Sequence, residues 1–367
     1  MAVTEHLYIK ASEGLRLTPA EALILWEEAP LSMLMYLADL RRKYLHEGNR
    51  VGWMIDRNIN ITNICFSQCR FCNFCRTSKS EEAYVTTDAE YDRKIGELVA
   101  LGGDQLLLQG GMNPELDLAY YVSLFSGLKK RWPAIKLHAL GPPEVVYLAR
   151  KEKMSYREVL VALHDAGLDS LPGAGAEILV DRVRVIVSPA KATAGEWLGV
   201  MREAHMLNLP TSATMMFGHA ETVAERIEHL VRLRDLQDEK PEDNDGFITF
   251  IPWPFMDRGT PLAEKYGIRS NVTATEYLKI IAISRLVLDN IPNIQSSILT
   301  VGAETAMISL HAGANDLGSV MIEENVVSAA GDPFRTSPEE MKQIITDAGF
   351  TPERRDQRYR PYVPAGN

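Results

Sequence analysis

The chain has 367 residues, 46% of them hydrophobic and 24% charged, which is enough for one large core or two smaller ones. Its formal net charge of −10 argues against nucleic acid or an anionic membrane as a main partner, because both call for a basic face. No apolar run approaches the roughly 20 residues of a membrane span. The first residues, Met1 to His6, lack the basic-then-apolar layout of an export signal, so a cytoplasmic protein is expected.

In chain order, residues 20–26 and 31–44 carry helical patterning and are expected to form an N-terminal helical extension over residues 1–50. A strand is predicted over 58–64. It runs into Cys65, Cys69 and Cys72, a C-x3-C-x2-C spacing, and Cys75 completes the four cysteines of the chain. Three thiolates this close can hold three irons of a [4Fe–4S] cluster and leave the fourth iron open for chemistry. Structural zinc, which usually takes two separated pairs, is the weaker alternative. Disulfides are not expected in a chain with this much core and no secretory signal. As a fourth ligand, Cys75 closes the cluster and makes an electron carrier; its expected role is instead that of a small side chain lining the pocket.

Beyond the cysteines, Thr87-Asp88-Ala89-Glu90 reads as a capping box. Tyr91, Ile95, Leu98 and Val99 mark one face of a helix that stops at Gly102-Gly103. A buried strand over 105–109 enters Gly110-Gly111. A second helix carries Leu118, Tyr121, Val122, Phe125 and Leu128 and ends before Pro133. Further strands are predicted over 135–140, 170–172, 212–217, 247–251, 294–299 and 318–322. Strands alternating with helices in this way predict an α/β fold, a parallel (β/α)8 barrel over 51–330, with a C-terminal helix and tail, 331–367, packed on it. Such a barrel places its site in the loops after the strands. The cysteine loop, Gln109-Gly110-Gly111 and the runs 172–177 and 217–221 fall there.

The three cysteines, with Phe71 just before the third, resemble the radical S-adenosylmethionine (SAM) superfamily. In that superfamily the open iron is chelated by the amino and carboxylate groups of SAM, and the reduced cluster breaks the sulfonium bond to give a 5′-deoxyadenosyl radical. Asn63-Ile64-Cys65, 108–114, 171–179, Thr214-Met215-Met216-Phe217-Gly218-His219 and 315–319 resemble, in order, the menaquinone enzymes of the futalosine pathway. That resemblance implies one of two reactions. The first is ring closure of dehypoxanthine futalosine, in which hydrogen is removed from the ribose C4′ and the carbon radical attacks the benzoate ring. The second is radical addition to an enol ether, the aminofutalosine reaction. Leu171-Pro172-Gly173, 179–184 and the Met-Met-Phe-Gly-His strand look more like the ring-closing branch. Cys75 stands where that family commonly has an aromatic residue. A deazaflavin-forming relative and a non-catalytic carrier are the remaining alternatives.

Within this resemblance, Gln109, Gly110 and Gly111 are expected to bind the SAM methionine through exposed backbone groups, although a glycine pair alone reads equally as a strand-ending turn. Phe71 packs on adenine or shields the cluster. Glu177 takes ribose hydroxyls, or is simply an acid at a helix N-terminus. Arg182 or Arg184 holds the methionine carboxylate, or either makes a surface ion pair. His219 is the candidate base. Asp316, beside Asn315, is the candidate for substrate ribose, with turn chemistry as the alternative. Arg57 is the candidate cation for the benzoate, and Trp253 and Phe255 either flank its ring or pack a lid. The implied partners are dehypoxanthine futalosine and a reductant such as flavodoxin or ferredoxin in priming amounts. Only priming is needed if the electron released on rearomatisation returns to the cluster.

Overall fold

A computed structural model describes residues 3–323, 325, 329 and 334–363. Its centre is a run of parallel strands: β1 (Arg50–Asn60), β2 (Gln105–Gln109), β3 (Lys136–Ala139), β4 (Thr211–Phe217), β5 (Phe247–Pro254), β6 (Asn293–Ile294), β7 (Asp316–Met321) and β8 (Thr351–Arg354). β1 pairs with β2 and β7, β2 with β3, β4 with β5, and β5 with β6. Single bridges close the gaps, from His138 to Ser170 and Leu171 to Thr211 on one side and from Gln295 to Asp316 on the other. The sheet therefore closes into a barrel in which Ser170 and Leu171 take the fourth strand position.

The expected strand over 170–172 is thus reduced to two bridging residues. The strand expected over 294–299 ends at Ile294, because Ile298 already opens the helix Ile298–Leu310. A short apolar run cannot be told from a buried helix start by periodicity. β1 begins at Arg50, well before residue 58, and residues 61–64 leave the ladder for the cysteine loop.

Connecting helices start on reciprocal side-chain caps, at Thr87 with Glu90, Ser155 with Glu158, Thr193 with Glu196 and Thr222 with Glu225. On the first of these helices Tyr91, Ile95 and Leu98 are buried, whereas Val99 faces solvent. The N-terminal helices are Val3–Ser12, Pro19–Glu28 and Leu31–Leu45; the first was not visible in the pattern. They lie on the barrel flank, where Lys279 donates to the Trp26 carbonyl at 3.0 Å and Arg234 to that of Leu17 at 2.8 Å. No helix among the described residues is long and apolar enough to cross a membrane.

The C-terminal segment does more than pack outside. After the helix Pro338–Asp347, β8 pairs in parallel with the first residues of β1, Arg50 to Trp53, before β2 joins at Asp56. The chain then turns Arg355 and Tyr359 into the barrel. The domain boundary expected at 330/331 lies outside the described residues.

Barrels of this kind are ordinarily filled by layers of branched apolar side chains. Here a cavity of about 390 Å³ runs through the interior, and β1 turns Met54, Asp56, Asn58 and Asn60 towards it. One end of the cavity is the cysteine loop, at the C-terminal edge of the strands. The other end is closed by Arg355 and Tyr359.

Candidate active site

The cysteine loop is pinned at its neck. Cys65 N–H donates to the Arg76 carbonyl at 3.0 Å and Arg76 N–H to that of Asn63 at 2.8 Å, so residues 65–75 project as one closed excursion. Inside it, the Ser67 hydroxyl lies 3.0 Å from the Cys65 sulfur and 3.4 Å from that of Cys69. Cys65, Cys69, Cys72 and Cys75 all line the cavity. The neighbouring Cys75 thiol lowers Cys65 to about 5, while burial pushes Cys69 up to about 11 and raises Cys72 as well. The Cys75 sulfur also lies 3.2 Å from the Cys65 carbonyl oxygen.

Among the described residues, no three Cys, His, Asp or Glu side chains close around a single point as one zinc ion requires. A cube places each thiolate on a different iron, and three thiols opening into one cavity suit that donor set. Cys69 and Cys72, both raised by burial, would become ligands only beside a cation, which iron would supply.

Gly110 and Gly111 bring the end of β2 against this loop. Gly111 N–H donates to the Thr62 carbonyl at 2.7 Å. A Cβ on Gly111 would overlap the Ile64 carbonyl oxygen and meet Cys65 Cβ at 2.8 Å, and one on Gly110 would meet the Thr62 carbonyl oxygen at 2.9 Å. The glycines are therefore required by close backbone packing. Gln109 and both glycines line the cavity next to the cysteines.

Glu177 lies in the cavity wall with a left-handed backbone (φ 39°), unusual for a residue with a side chain. It is buried, and burial works against its charge. Lys191, with Nζ 2.9 Å from Oε1, and Arg184, 3.5 Å from Oε2, outweigh that and hold the carboxyl below its ordinary range. Lys191 also faces the Phe71 ring at 5.3 Å. Nothing in the sequence marked Lys191, a lone lysine in a connecting loop.

The structure separates several expected residues from this cavity. Arg184 is buried and spends its donors on the carbonyls of Gly175, Ala176 and Ala192, which fixes the turn carrying Glu177. Arg182 is exposed and paired with Glu225 through two 2.6 Å bonds. His219 is enclosed in a turn, with Nε2 2.9 Å from the Met216 carbonyl oxygen and Nδ1 accepting from Ala220 N–H at 2.7 Å, so it does not reach the cavity as a base must. Asp316 is fully buried behind the wall, held by Arg355 at 2.9 Å and by Gly318 N–H at 2.7 Å. Asn315 is consumed by Arg285, Ile294 and Asn293. Arg57 points outward to Glu97 and Glu323, and Phe255 is core, leaving Trp253 to face the cavity.

Two groups take the places of these. Glu144, in the first turn of the helix Pro142–Glu152, lines the cavity with Oε2 shielded from solvent and without a hydrogen-bond partner. Burial pushes it up to about 7. Arg355 is the guanidinium that faces the cavity, at its inner end.

Comparison with known proteins accords with this geometry. The radical SAM superfamily model matches residues 59–233, and the model of the CofH/MqnC C-terminal region matches 244–365. The chain is 42% identical to the cyclic dehypoxanthine futalosine synthase of Streptomyces coelicolor, over 96% of this chain and 88% of that protein. It is 39% identical to the 5-amino-6-(D-ribitylamino)uracil–L-tyrosine 4-hydroxyphenyl transferase of Methanopyrus kandleri (86% and 85% covered). Identity to the aminodeoxyfutalosine synthase of Thermus thermophilus is 38% (96% and 94%). The crystal structure of methylornithine synthase superposes with a TM-score of 0.70 at 21% identity, covering 94% of this chain and 97% of that one, which establishes the shared fold.

Proposed function

Because the chain belongs to the radical SAM superfamily and to the family that contains the cyclic dehypoxanthine futalosine synthases, we propose that it closes dehypoxanthine futalosine to the cyclic product of menaquinone synthesis. The observation that carries this reading is the cavity joining three thiols at the strand ends to an interior where Asn58, Gln105 and Arg355 stand among apolar side chains, which accommodates a cofactor at the mouth and an elongated substrate below it. The higher identity to the ring-closing relative favours ring closure over the aminodeoxyfutalosine reaction.

In this reading Cys65, Cys69 and Cys72 hold the cluster, Gln109, Gly110 and Gly111 receive the methionine end of SAM, and Phe71 faces its adenine. Glu177, kept ionised by Lys191 and positioned by Arg184, accepts from the ribose hydroxyls of SAM. When bound, the cluster and SAM supply a carbon radical able to take hydrogen from an unactivated C–H bond. The substrate gives up the hydrogen at ribose C4′ to the 5′-deoxyadenosyl carbon, a bond forms from C4′ to the benzoate ring, and rearomatisation releases one proton and one electron, the electron being one that the oxidised cluster would take back. Glu144 is suited to take that proton, since it lines the cavity, its Oε2 is committed to no hydrogen bond, and burial pushes it up to about 7. Arg355 offers the benzoate carboxylate a cation at the inner end. A carrier such as flavodoxin or ferredoxin primes the cluster.

The test is anaerobic turnover of substrate deuterated at ribose C4′. Deuterium in 5′-deoxyadenosine together with a product two hydrogens lighter is expected. SAM cleavage without deuterium transfer overturns the substrate assignment.

A further inference from the structure

Three amide side chains facing the cavity end without partners. Asn58, Asn60 and Gln105 are at most 5% exposed, and all three line the cavity. Among the described residues, Asn58 Oδ1, Asn60 Nδ2 and Gln105 Oε1 have no hydrogen-bond partner. The other ends of two of them are fixed: Asn325 donates to Asn60 Oδ1 at 3.0 Å, and Gln105 Nε2 donates to Asp56 Oδ2 at 3.3 Å. All three residues belong to the cavity lining, and their unpartnered atoms are closed off from solvent.

The strand register arranges these groups in layers. Asp56 is beside Gln105, Asn58 beside Leu107 and Asn60 beside Gln109. Alternate residues of a strand share a face and repeat at about 6.6 Å, so these residues line one wall over about 13 Å, from the Asp56–Gln105 layer up to the layer below the cysteine loop. A buried amide oxygen or N–H without a partner is costly, and a cluster of them along one cavity marks where a ligand or water supplies the missing bonds. The orphans include both acceptors and a donor and carry no charge. A hydroxyl, which donates and accepts at once, satisfies such a mixture; a phosphate or a carboxylate does not.

We propose that Asn58, Asn60 and Gln105 form a subsite for the polyhydroxylated part of the substrate, a ribose or a ribityl chain. This deepens the function proposed above, and under that function it holds the ribose with C4′ turned towards the cofactor while the benzoate points to Arg355. Asn58, in the middle layer with both neighbours in reach, is the position on which selectivity for the sugar depends most.

The test is equilibrium binding to cluster-loaded protein with SAM present and no reductant. Dehypoxanthine futalosine, its 2′-deoxy and 3′-deoxy analogues, and 5-amino-6-(D-ribitylamino)uracil are each titrated against wild type and Asn58→Leu, with iron content and melting temperature recorded. The expected result is that wild type binds dehypoxanthine futalosine about ten-fold or more tightly than at least one deoxy analogue, and that Asn58→Leu loses that difference while keeping its iron. Equal affinity of wild type for all three futalosine compounds, or unchanged discrimination in Asn58→Leu, overturns the subsite and leaves the proposed reaction standing. Binding of the ribityl compound alone, weakened about ten-fold in Asn58→Leu, supports the subsite and overturns the reaction. Binding of neither compound overturns both. The comparison of analogues on wild type needs no variant and stands even where Asn58→Leu does not fold.

Discussion

Lys191 and Glu177 meet at 2.9 Å in the wall of the cavity, and each is the reason the other stays charged there. Burial works against both charges, while the pair itself, with Arg184 beside Glu177, restores them.

Lys191→Met is therefore expected to leave Glu177 with Arg184 alone, at 3.5 Å, and to destabilise the fold by about 3 kcal/mol at pH 7. The wild-type carboxyl has a folded pKa below its unfolded value. Its contribution to stability is present above the unfolded pKa and is lost as the pH falls through the folded one. Denaturant titrations at pH 7 and pH 4 should show a smaller loss on acidification in the variant than in wild type, together with weaker SAM binding.

Glu144 has the opposite sign. Its folded pKa, about 7, lies above the unfolded value of 4.5, so the folded state binds more protons between those pH values and stability falls as the pH rises through that window. Glu144→Gln should gain up to about 3 kcal/mol relative to wild type at pH 8 and nothing at pH 4, read from melting curves. Product formation should fall by about 10²-fold or more and lose its limb near pH 7, while hydrogen removal from the substrate continues.

Replacing Cys75 by Ala should leave iron and sulfide content unchanged after anaerobic reconstitution. Cys65→Ala, Cys69→Ala and Cys72→Ala should each lose the cluster absorption. Loss of the cluster in the Cys75 variant alone would turn the reading towards a closed electron carrier.

Gly111→Ala places a methyl group on the Ile64 carbonyl, and backbone on both sides has to move. A cost of about 1–3 kcal/mol is expected, with reduced cluster loading at equal protein concentration. An unchanged melting temperature and full loading would show that the cysteine loop tolerates displacement.

Asp316→Asn removes the carboxylate that neutralises the buried Arg355 guanidinium and leaves it one amide oxygen at position 316, besides Met54 Sδ at 3.0 Å, the Asp356 carbonyl, the Tyr359 ring at 3.7 Å and the more distant Asp56. About 3–5 kcal/mol of stability should be lost. The double variant with Arg355→Met should lose less than the two single changes added together, because it removes the uncompensated charge.

Patterns confined to a few residues determined much of this protein by themselves. The spacing of Cys65, Cys69 and Cys72, the cap at Thr87 and Glu90, the glycine pair after β2 and the strand-helix alternation are local, and local chemistry sufficed to place the cysteine loop at the strand ends of a closed parallel barrel. The tertiary structure alone decided which polar side chains share the cavity. His219 looked like a base and is tied into its own turn; Arg182 looked like a ligand clamp and is a surface pair; Asp316 lies behind Arg355, 39 residues further on. Lys191, Glu144, Arg355 and the amides of β1 reach the site because barrel closure and the inward turn after β8 bring distant segments to one point. The energy that makes them matter, desolvation against pairing, does not exist until the chain has closed around them.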